Sequence, residues 1–430
     1  MFKSIDELKD LTKKHTEYRG RSLNLIAAEN LVSKTVRWYL TSDFGHRYNT
    51  FFDDPMKRNY LGQKYVALVE TKARETAKKL FNCRFAELRP LGGQSAGDAV
   101  IMALTKPGDV VFETPEDGGF CGHEVCARLV KTNLTKNSLE IDTVEYDTKT
   151  TDINFEIMEK KIKEKKPKLI ICGASQPLFA ESLKKLRPIA DEVGAYIAYD
   201  ASHVMGFIAS KKFSNPLDNG ADVMMGSTHK TFPGPQGGIV LCNDEEIFKR
   251  IRVPLYPALI TSHHANRVAS LGAAFIEMLE FGEAYHEQII KNSQALGKAL
   301  YNLGLKALYP EFNFSRTHVV LVDVKDFGSG SEAASLLEDA NIILGATTTP
   351  IDAERGTKHN GLRIGTQEIT RAGMKEKDMN EVAIFFKRTL IDRDNPKEVA
   401  KDIEKFTAQF NKIHYTWDEE TPAYSIIENF

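Results

Sequence analysis

The stretch Ala221-Asp-Val-Met-Met-Gly-Ser-Thr-His-Lys230-Thr-Phe-Pro-Gly-Pro-Gln-Gly-Gly-Ile-Val-Leu241 decides how the chain is read. Ala221 to Met225 is an apolar run with the character of a buried strand. It breaks at Gly226 into polar Ser227, Thr228 and His229, and then Lys230. Pro233, Gly234, Pro235, Gly237 and Gly238 forbid a helix, and Ile239 to Leu241 reads as a returning strand. A lysine between two buried strands is costly unless its amine has a chemical role. Desolvation strips its proton, and a neutral amine condenses with a carbonyl to give a Schiff base. The competing reading is a solvated lysine on an ordinary hairpin.

Upstream, Ala195-Tyr-Ile-Ala-Tyr-Asp200-Ala-Ser-His203 is a short apolar strand that delivers an aspartate at its C-terminal end. Ligands of open α/β sheets bind along that edge. An aspartate there can keep the pyridine nitrogen of pyridoxal phosphate protonated, so that the ring absorbs the electrons of a carbanion. Alone, such a residue is as well explained as a helix N-cap. Strand-Asp-x-x-His followed by strand-x-x-His-Lys is harder to dismiss.

Asp200-Ala-Ser-His203, Gly226-Ser-Thr-His-Lys-Thr231 and Gly234-Pro-Gln-Gly-Gly238 resemble the serine hydroxymethyltransferase family, its archaeal branch more than its bacterial or animal members. The similarity runs from Leu25-Ile-Ala-Ala-Glu-Asn30 to Gly361-Leu-Arg-Ile-Gly-Thr366. The resemblance implies an α/β fold of the fold-type I pyridoxal-phosphate class, with a large, mostly parallel-sheet domain and a smaller C-terminal α/β domain. It implies a homodimer with shared active sites and leaves further pairing of dimers open. By this likeness Lys230 holds the cofactor, Asp200 meets the ring nitrogen, and His203 and His229 tune ring electronics and reaction choice.

Other residues follow by position. Gly45-His-Arg-Tyr48 matches a motif whose tyrosine crosses the dimer interface toward the cofactor phosphate, and Tyr48 is also a substrate-side candidate. Lys57-Arg-Asn-Tyr60-Leu-Gly62 matches one whose tyrosine lines the substrate pocket, making Tyr60 a catalytic and substrate-binding candidate. Leu88-Arg-Pro-Leu-Gly-Gly-Gln-Ser-Ala-Gly97 is a glycine-rich turn opening a helix, which offers backbone N–H groups to a phosphate. Gly93, Gln94 and Ser95 are the phosphate candidates there. Ser175 matches a residue near the phenolic oxygen, Thr228 joins the cofactor-binding set, and Ser262 with His263 lies on a loop that reaches the neighbouring subunit's phosphate. Arg363 matches the arginine that captures the amino-acid carboxylate, a task suited to a planar, always-charged fork.

The composition agrees with an enzyme. Hydrophobic residues make up 42% and charged residues 27% of 430, and a net charge of -2 removes any electrostatic case for nucleic acid as partner. Cys83, Cys121, Cys126, Cys172 and Cys242 form no C-x-x-C and read as reduced thiols. The adjacent His263 and His264 lack a carboxylate or cysteine at ligand spacing, so no metal is expected. No apolar signal core and no bilayer-length stretch appears, and a cytoplasmic protein without membrane contact is expected.

The expected organisation is an N-terminal arm over 1–25, a large cofactor domain over 26–280 and a small domain over 281–430. A long helical pattern from 266 to 303 joins them, with Gly282 a candidate break. Ser4 opens a helix through Lys14, Ser331 is expected to cap the helix ending at Asp339, and Tyr415, Trp417, Tyr424 and Phe430 predict a packed tail.

The resemblance implies retro-aldol cleavage: Arg363 fixes the carboxylate, the β-hydroxyl loses its proton, and the Cα–Cβ bond breaks. Serine would give glycine, its one-carbon unit passing to a tetrahydropterin or tetrahydrofolate. Several positions depart from the family. Phe120 stands where a histidine usually stacks on the pyridine ring, and His123 corresponds to a different family histidine. Thr50 stands where a glutamate serves the pterin steps, in a loop longer than usual, with Asp53 and Asp54 as substitutes. Ala28 and Gly92 replace serines. These changes spare the lysine machinery and bear on the pterin half. They raise a pterin-independent threonine aldolase or transaldolase as the alternative. A non-catalytic pyridoxal-phosphate-binding protein is the reading from another class, and an intact carboxylate arginine argues against it.

Overall fold

The computed structural model describes residues 1, 4–116, 119–120, 122 and 139–426. The expectations for Cys121, His123, Cys126 and Phe430 lie outside them. The chain divides into two units, Thr35–Glu283 and a second made of Met1–Lys34 with Ala284–Phe430.

The first unit is built on seven strands: β1 (Phe85–Glu87), β2 (Val110–Glu113), β3 (Glu140–Thr143), β4 (Leu169–Cys172), β5 (Tyr196–Asp200), β6 (Val223–Ser227) and β7 (Gly238–Cys242). Their order is β1-β7-β6-β5-β4-β2-β3. The run from β6 to β3 is parallel, whereas β7 is antiparallel to both β6 and β1. Continuous apolar runs, not alternation, mark strands covered on both faces, and every residue of β4, β6 and β7 is buried. The glycine- and proline-rich turn after β6 reverses the chain and pairs Gly238 with Ser227. That hairpin holds Lys230 at the C-terminal ends of the parallel strands. Helix α1 (Gly93–Leu104) packs Ala96, Ala99, Val100, Ile101 and Leu104 into the core over β6 and β7.

Helix α2 (Ala265–Asn302) runs unbroken through the boundary between the units, so Gly282 is not a break. A Cβ there would make only ordinary contact with Met278 at 3.5 Å. The cost of an interior glycine, about 1 kcal/mol, is small beside the burial of Met278 and Tyr285 along the helix.

In the second unit, Lys306–Ala307 (β8), Val319–Asp323 (β9), Gly345–Thr347 (β10) and Gly361–Gly365 (β11) form an antiparallel sheet in the order β8-β9-β11-β10. Leu25, Leu300, Val320, Leu362, Ile364 and Phe386 belong to its core. Leu23–Asn24 pairs in parallel with Ile342–Ile343, which ties the N-terminal segment to this unit. The helix Ile5–Gly20 begins at Ser4 as expected but extends past Lys14. The helix Gly330–Asp339 is capped by Ser329, not Ser331. Ser329 Oγ accepts the Glu332 N–H, and the Glu332 carboxylate accepts the Ser329 N–H at 2.8 Å, a reciprocal pair that Ser331 cannot make from inside the helix. The tail packs through Ile413 and Ala423, while Trp417 is exposed.

Candidate active site

The site is assembled at the ends of β5 and β6. Asp200 closes β5 and is buried, and its Oδ1 accepts the Ser202 N–H at 2.9 Å. This short turn brings His203 back over the sheet. Lys230 and His203 are both buried, with Nζ and Nε2 3.0 Å apart. Thr231 holds the histidine in place: its hydroxyl donates to the His203 carbonyl at 2.9 Å and accepts the Gly206 N–H at 3.3 Å. Thr228 stabilises the lysine turn, donating its hydroxyl to the Pro235 carbonyl at 2.8 Å.

His229, beside the lysine, is pushed down to about 4 by burial and by the neighbouring Lys230 charge, so its ring is neutral near pH 7. Its Nδ1 is buried and finds no partner among the described residues. Two backbone positions hold the strand ends together. Gly173 lies at φ +99°, and a Cβ there would sit 2.3 Å from the Asp200 carbonyl oxygen. Ser202 Oγ accepts the Ser227 N–H at 2.9 Å, joining the ends of β5 and β6.

The turn expected to hold phosphate lies against this framework. A Cβ on Gly93 would meet Ser227 Oγ at 2.5 Å and Ser202 Oγ at 3.3 Å. Gly93, Gln94 and Ser95 open α1, so their N–H groups have no intrahelical acceptor. Ser95 Oγ and the Gly92 backbone exchange hydrogen bonds of 3.0 and 3.1 Å. The Gln94 side chain is exposed and donates to Asp98, which leaves its backbone N–H as its offering to a ligand.

This donor set fits a phosphorylated pyridine aldehyde. A buried amine suits the aldehyde, a buried carboxylate the ring nitrogen, and a helix N-terminus the phosphate. Glycine at 93 leaves a cradle that a side chain would close, and the unpartnered His229 nitrogen is a further polar atom awaiting a ligand.

Phe120 is buried and stacked on Tyr146, ring centroids 4.5 Å apart and 23° from parallel. Ser175 is buried, and the next residue, Gln176, donates its amide to the Gly119 carbonyl just before Phe120. Tyr48 and Tyr60 meet edge to face at 5.3 Å, and both are more than half exposed. Behind them the Asn49 N–H donates to Ser262 Oγ at 3.1 Å, and Asn49 Nδ2 donates to Glu70 at 2.9 Å. Glu70 also pairs with Arg58 and His263, and burial, which would raise its carboxyl, is outweighed by hydrogen bonding to His263 and by the Arg58 charge, which hold it down at about 2. Thr50 is buried, its hydroxyl accepting from Asn59 at 3.3 Å. Asp53 pairs with Arg252 at 3.0 Å, and Asp54 accepts the Met56 N–H at 2.9 Å. Both candidate substitutes are therefore engaged elsewhere.

Arg363 belongs to the other unit. It lies on β11 between Leu321 and Gly345 and is half-buried. Glu70, Tyr146 and Glu181 carry no local signal in the sequence, because each meets its partners through the fold rather than through a motif, whereas Thr231 closes the motif that begins at Gly226. Among the described residues, no group of three or more His, Cys, Asp and Glu side chains is placed to hold a metal ion, and no helix is long and apolar enough to cross a membrane.

Residues 2–386 match the family model described as serine hydroxymethyltransferase. The chain is 42% identical over 419 residues to a serine hydroxymethyltransferase of Methanocaldococcus jannaschii, covering 96% of each. It is 40% identical over 421 residues to one of Korarchaeum cryptofilum, covering 95% of this chain and 96% of that one. Among solved structures it is similar to an L-threonine transaldolase from Pseudomonas fluorescens in its internal aldimine state. That match has a TM-score of 0.89 and 28% identity, over 97% of this chain and 94% of that one.

Proposed function

The chain belongs to the serine hydroxymethyltransferase family, and on that premise we propose a pyridoxal-phosphate-dependent transferase that reversibly cleaves the Cα–Cβ bond of a β-hydroxy amino acid. The preferred reaction is serine to glycine, with the one-carbon unit passed to a tetrahydropterin or tetrahydrofolate. The observation that carries this reading is the buried Lys230 amine 3.0 Å from His203, at the strand ends that present Asp200.

Lys230, Asp200, His203, Thr228, Ser175 and Phe120 would hold the cofactor body, and Gly93, Gln94 and Ser95 its phosphate. Pyridoxal phosphate, when bound, supplies an aldehyde that captures the substrate amine and a ring that takes up the electron pair left when Cα–Cβ breaks. Asp200 keeps a proton on the ring nitrogen. His203 Nε2, 3.0 Å from Lys230 Nζ, would exchange a proton with it, which gives the amine a route to its neutral form. His229, neutral near pH 7, adds no second positive charge beside the lysine. Arg363 binds the substrate carboxylate, and Tyr60 lines the substrate pocket as a catalytic candidate.

A second copy of the chain is the proposed partner. Tyr48, Phe52, Met56, Tyr60, Leu61 and Tyr65 are each at least half exposed within one short stretch, the kind of apolar surface that marks an interface. Tyr48 and Ser262 would then serve the neighbouring site. The helix Ile5–Gly20 buries none of its residues and exposes Ile5, Leu8 and Leu11, which suits an arm laid on that partner. A cytoplasmic location agrees with free thiols at Cys83, Cys172 and Cys242.

A pterin-independent aldolase or transaldolase is the second reading. It is favoured by Thr50, buried against Asn59, and by the engagement of Asp53 and Asp54 away from it. Product analysis of serine, threonine and α-methylserine, each with and without a reduced pterin, separates the two. Serine cleavage that requires the pterin supports the transferase. Equal or faster cleavage of threonine without it supports the alternative.

A further inference from the structure

A buried polar chain links Phe120 to the turn behind Asp200. The Tyr146 ring lies under Phe120 at 4.5 Å. The Tyr146 hydroxyl donates to Glu181 Oε1 and lies 2.9 Å from Thr114 Oγ1. The same Glu181 oxygen accepts the Gly173 N–H at 3.3 Å. Gly173, in turn, is the residue pressed on the Asp200 carbonyl, with no room for a Cβ. One carboxylate oxygen therefore fixes both the ring beneath Phe120 and the turn abutting Asp200. On the backbone side, Gln176 holds the Gly119 carbonyl immediately before Phe120.

A phenylalanine platform can stack but cannot hydrogen-bond, so its own ring has no polar anchor to set its tilt. We propose that Tyr146 and Glu181 are positioning residues that set the Phe120 ring and the Asp200 strand end together, fixing the tilt and affinity of the cofactor ring; this rests on the pyridoxal-phosphate reading above. Both hydrogen bonds converge on Glu181 Oε1, while its buried Oε2 finds no partner among the described residues, so the pair is held through that one oxygen. Burial pushes Glu181 up to about 7, opposed by hydrogen bonds from Tyr146 and Gly173. Tyr199, Cys172 and Asp152 are the other titratable groups facing it.

The test uses Tyr146→Phe, which keeps the ring under Phe120 and removes the hydroxyl, and Glu181→Gln, which keeps the shape. Apoprotein of each variant and of the parent is titrated with pyridoxal phosphate, following visible absorbance and the circular dichroism of the bound cofactor. Thermal melts of the same samples report the fold. The expected result is about tenfold weaker cofactor binding, the scale of one buried hydrogen bond to a carboxylate, with a changed dichroic band. Variants that melt lower yet keep parental affinity and band would assign the pair a purely structural role and overturn the proposal. A parent protein with no visible band at all would instead remove the pyridoxal-phosphate reading itself.

Discussion

Lys230 Nζ and His203 Nε2 lie 3.0 Å apart, both buried and both on backbone held by Thr231 or the turn beside it. Across 3.0 Å one nitrogen donates and the other accepts, and only an amine that has given up its extra proton acts as a nucleophile. Lys230→Ala removes the only atom at this position able to bond an aldehyde. The visible absorbance of covalently held cofactor is expected to vanish, with the melting temperature little changed. A variant that keeps the same band places the covalent link elsewhere.

Gly173 offers a test of Asp200 that leaves the aspartate in place. Its φ of +99° lies where an L side chain is strained, and the incoming methyl would face the Asp200 backbone 2.3 Å away. Strain alone costs about 1–3 kcal/mol, and a backbone neighbour cannot swing aside. Gly173→Ala should lower the melting temperature and weaken pyridoxal-phosphate binding together. Full cofactor affinity in a well-folded Gly173→Ala protein would show that Asp200 does not need this abutment.

Arg363 lies mid-strand on β11, paired across to Leu321 and Gly345, so its backbone is fixed on both sides. If its guanidinium binds the substrate carboxylate, Arg363→Ala leaves that charge without its fork. The amino-acid KM should rise about a hundredfold, corresponding to a lost charge-assisted pair. Arg363→Lys should recover only part of it, because a single ammonium cannot bind two oxygens in one plane. Steady-state kinetics at saturating cofactor decides this, and a near-normal KM in Arg363→Ala moves the carboxylate site away.

The hairpin around Lys230 was legible because an apolar run, a polar break and a cluster of glycine and proline are local signals. The same holds for Asp200 at a strand end and for Gly92 to Ser95 at a helix start. The Glu181 network was not legible, since Tyr146 and Glu181 stand in separate segments and neither carries a motif. Glu70 and His263, far apart in sequence, meet only through the fold. The pairing of Leu23–Asn24 with Ile342–Ile343 is likewise nonlocal, and no composition shift announces it. Ser331 and Ser329 are the same residue type at this helix start, and only Ser329 makes the reciprocal bonds with Glu332. A cap displaced within one turn depends on side-chain geometry that residue type alone does not specify.

Glu368 gives the clearest pH signature. It is buried, accepts the Tyr424 hydroxyl at 2.9 Å, and has Arg19 at 3.5 Å, while Arg19 sits closer to Glu29 at 2.6 Å. Burial outweighs these partners and pushes Glu368 up to about 7 from an ordinary 4.5. A carboxyl raised on folding favours the native state while protonated in it. Its contribution is fully present below 4.5 and is lost as pH rises through 7. Glu368→Gln keeps the shape and an acceptor for Tyr424 without the charge. Relative to the parent it should be more stable at pH 8, by up to about 3 kcal/mol, with that advantage shrinking to little at pH 4.5. Melts of both proteins across this range measure the difference directly. A variant less stable than the parent at pH 8 would mean that the ion pair with Arg19 prevails and that Glu368 is charged in the native protein.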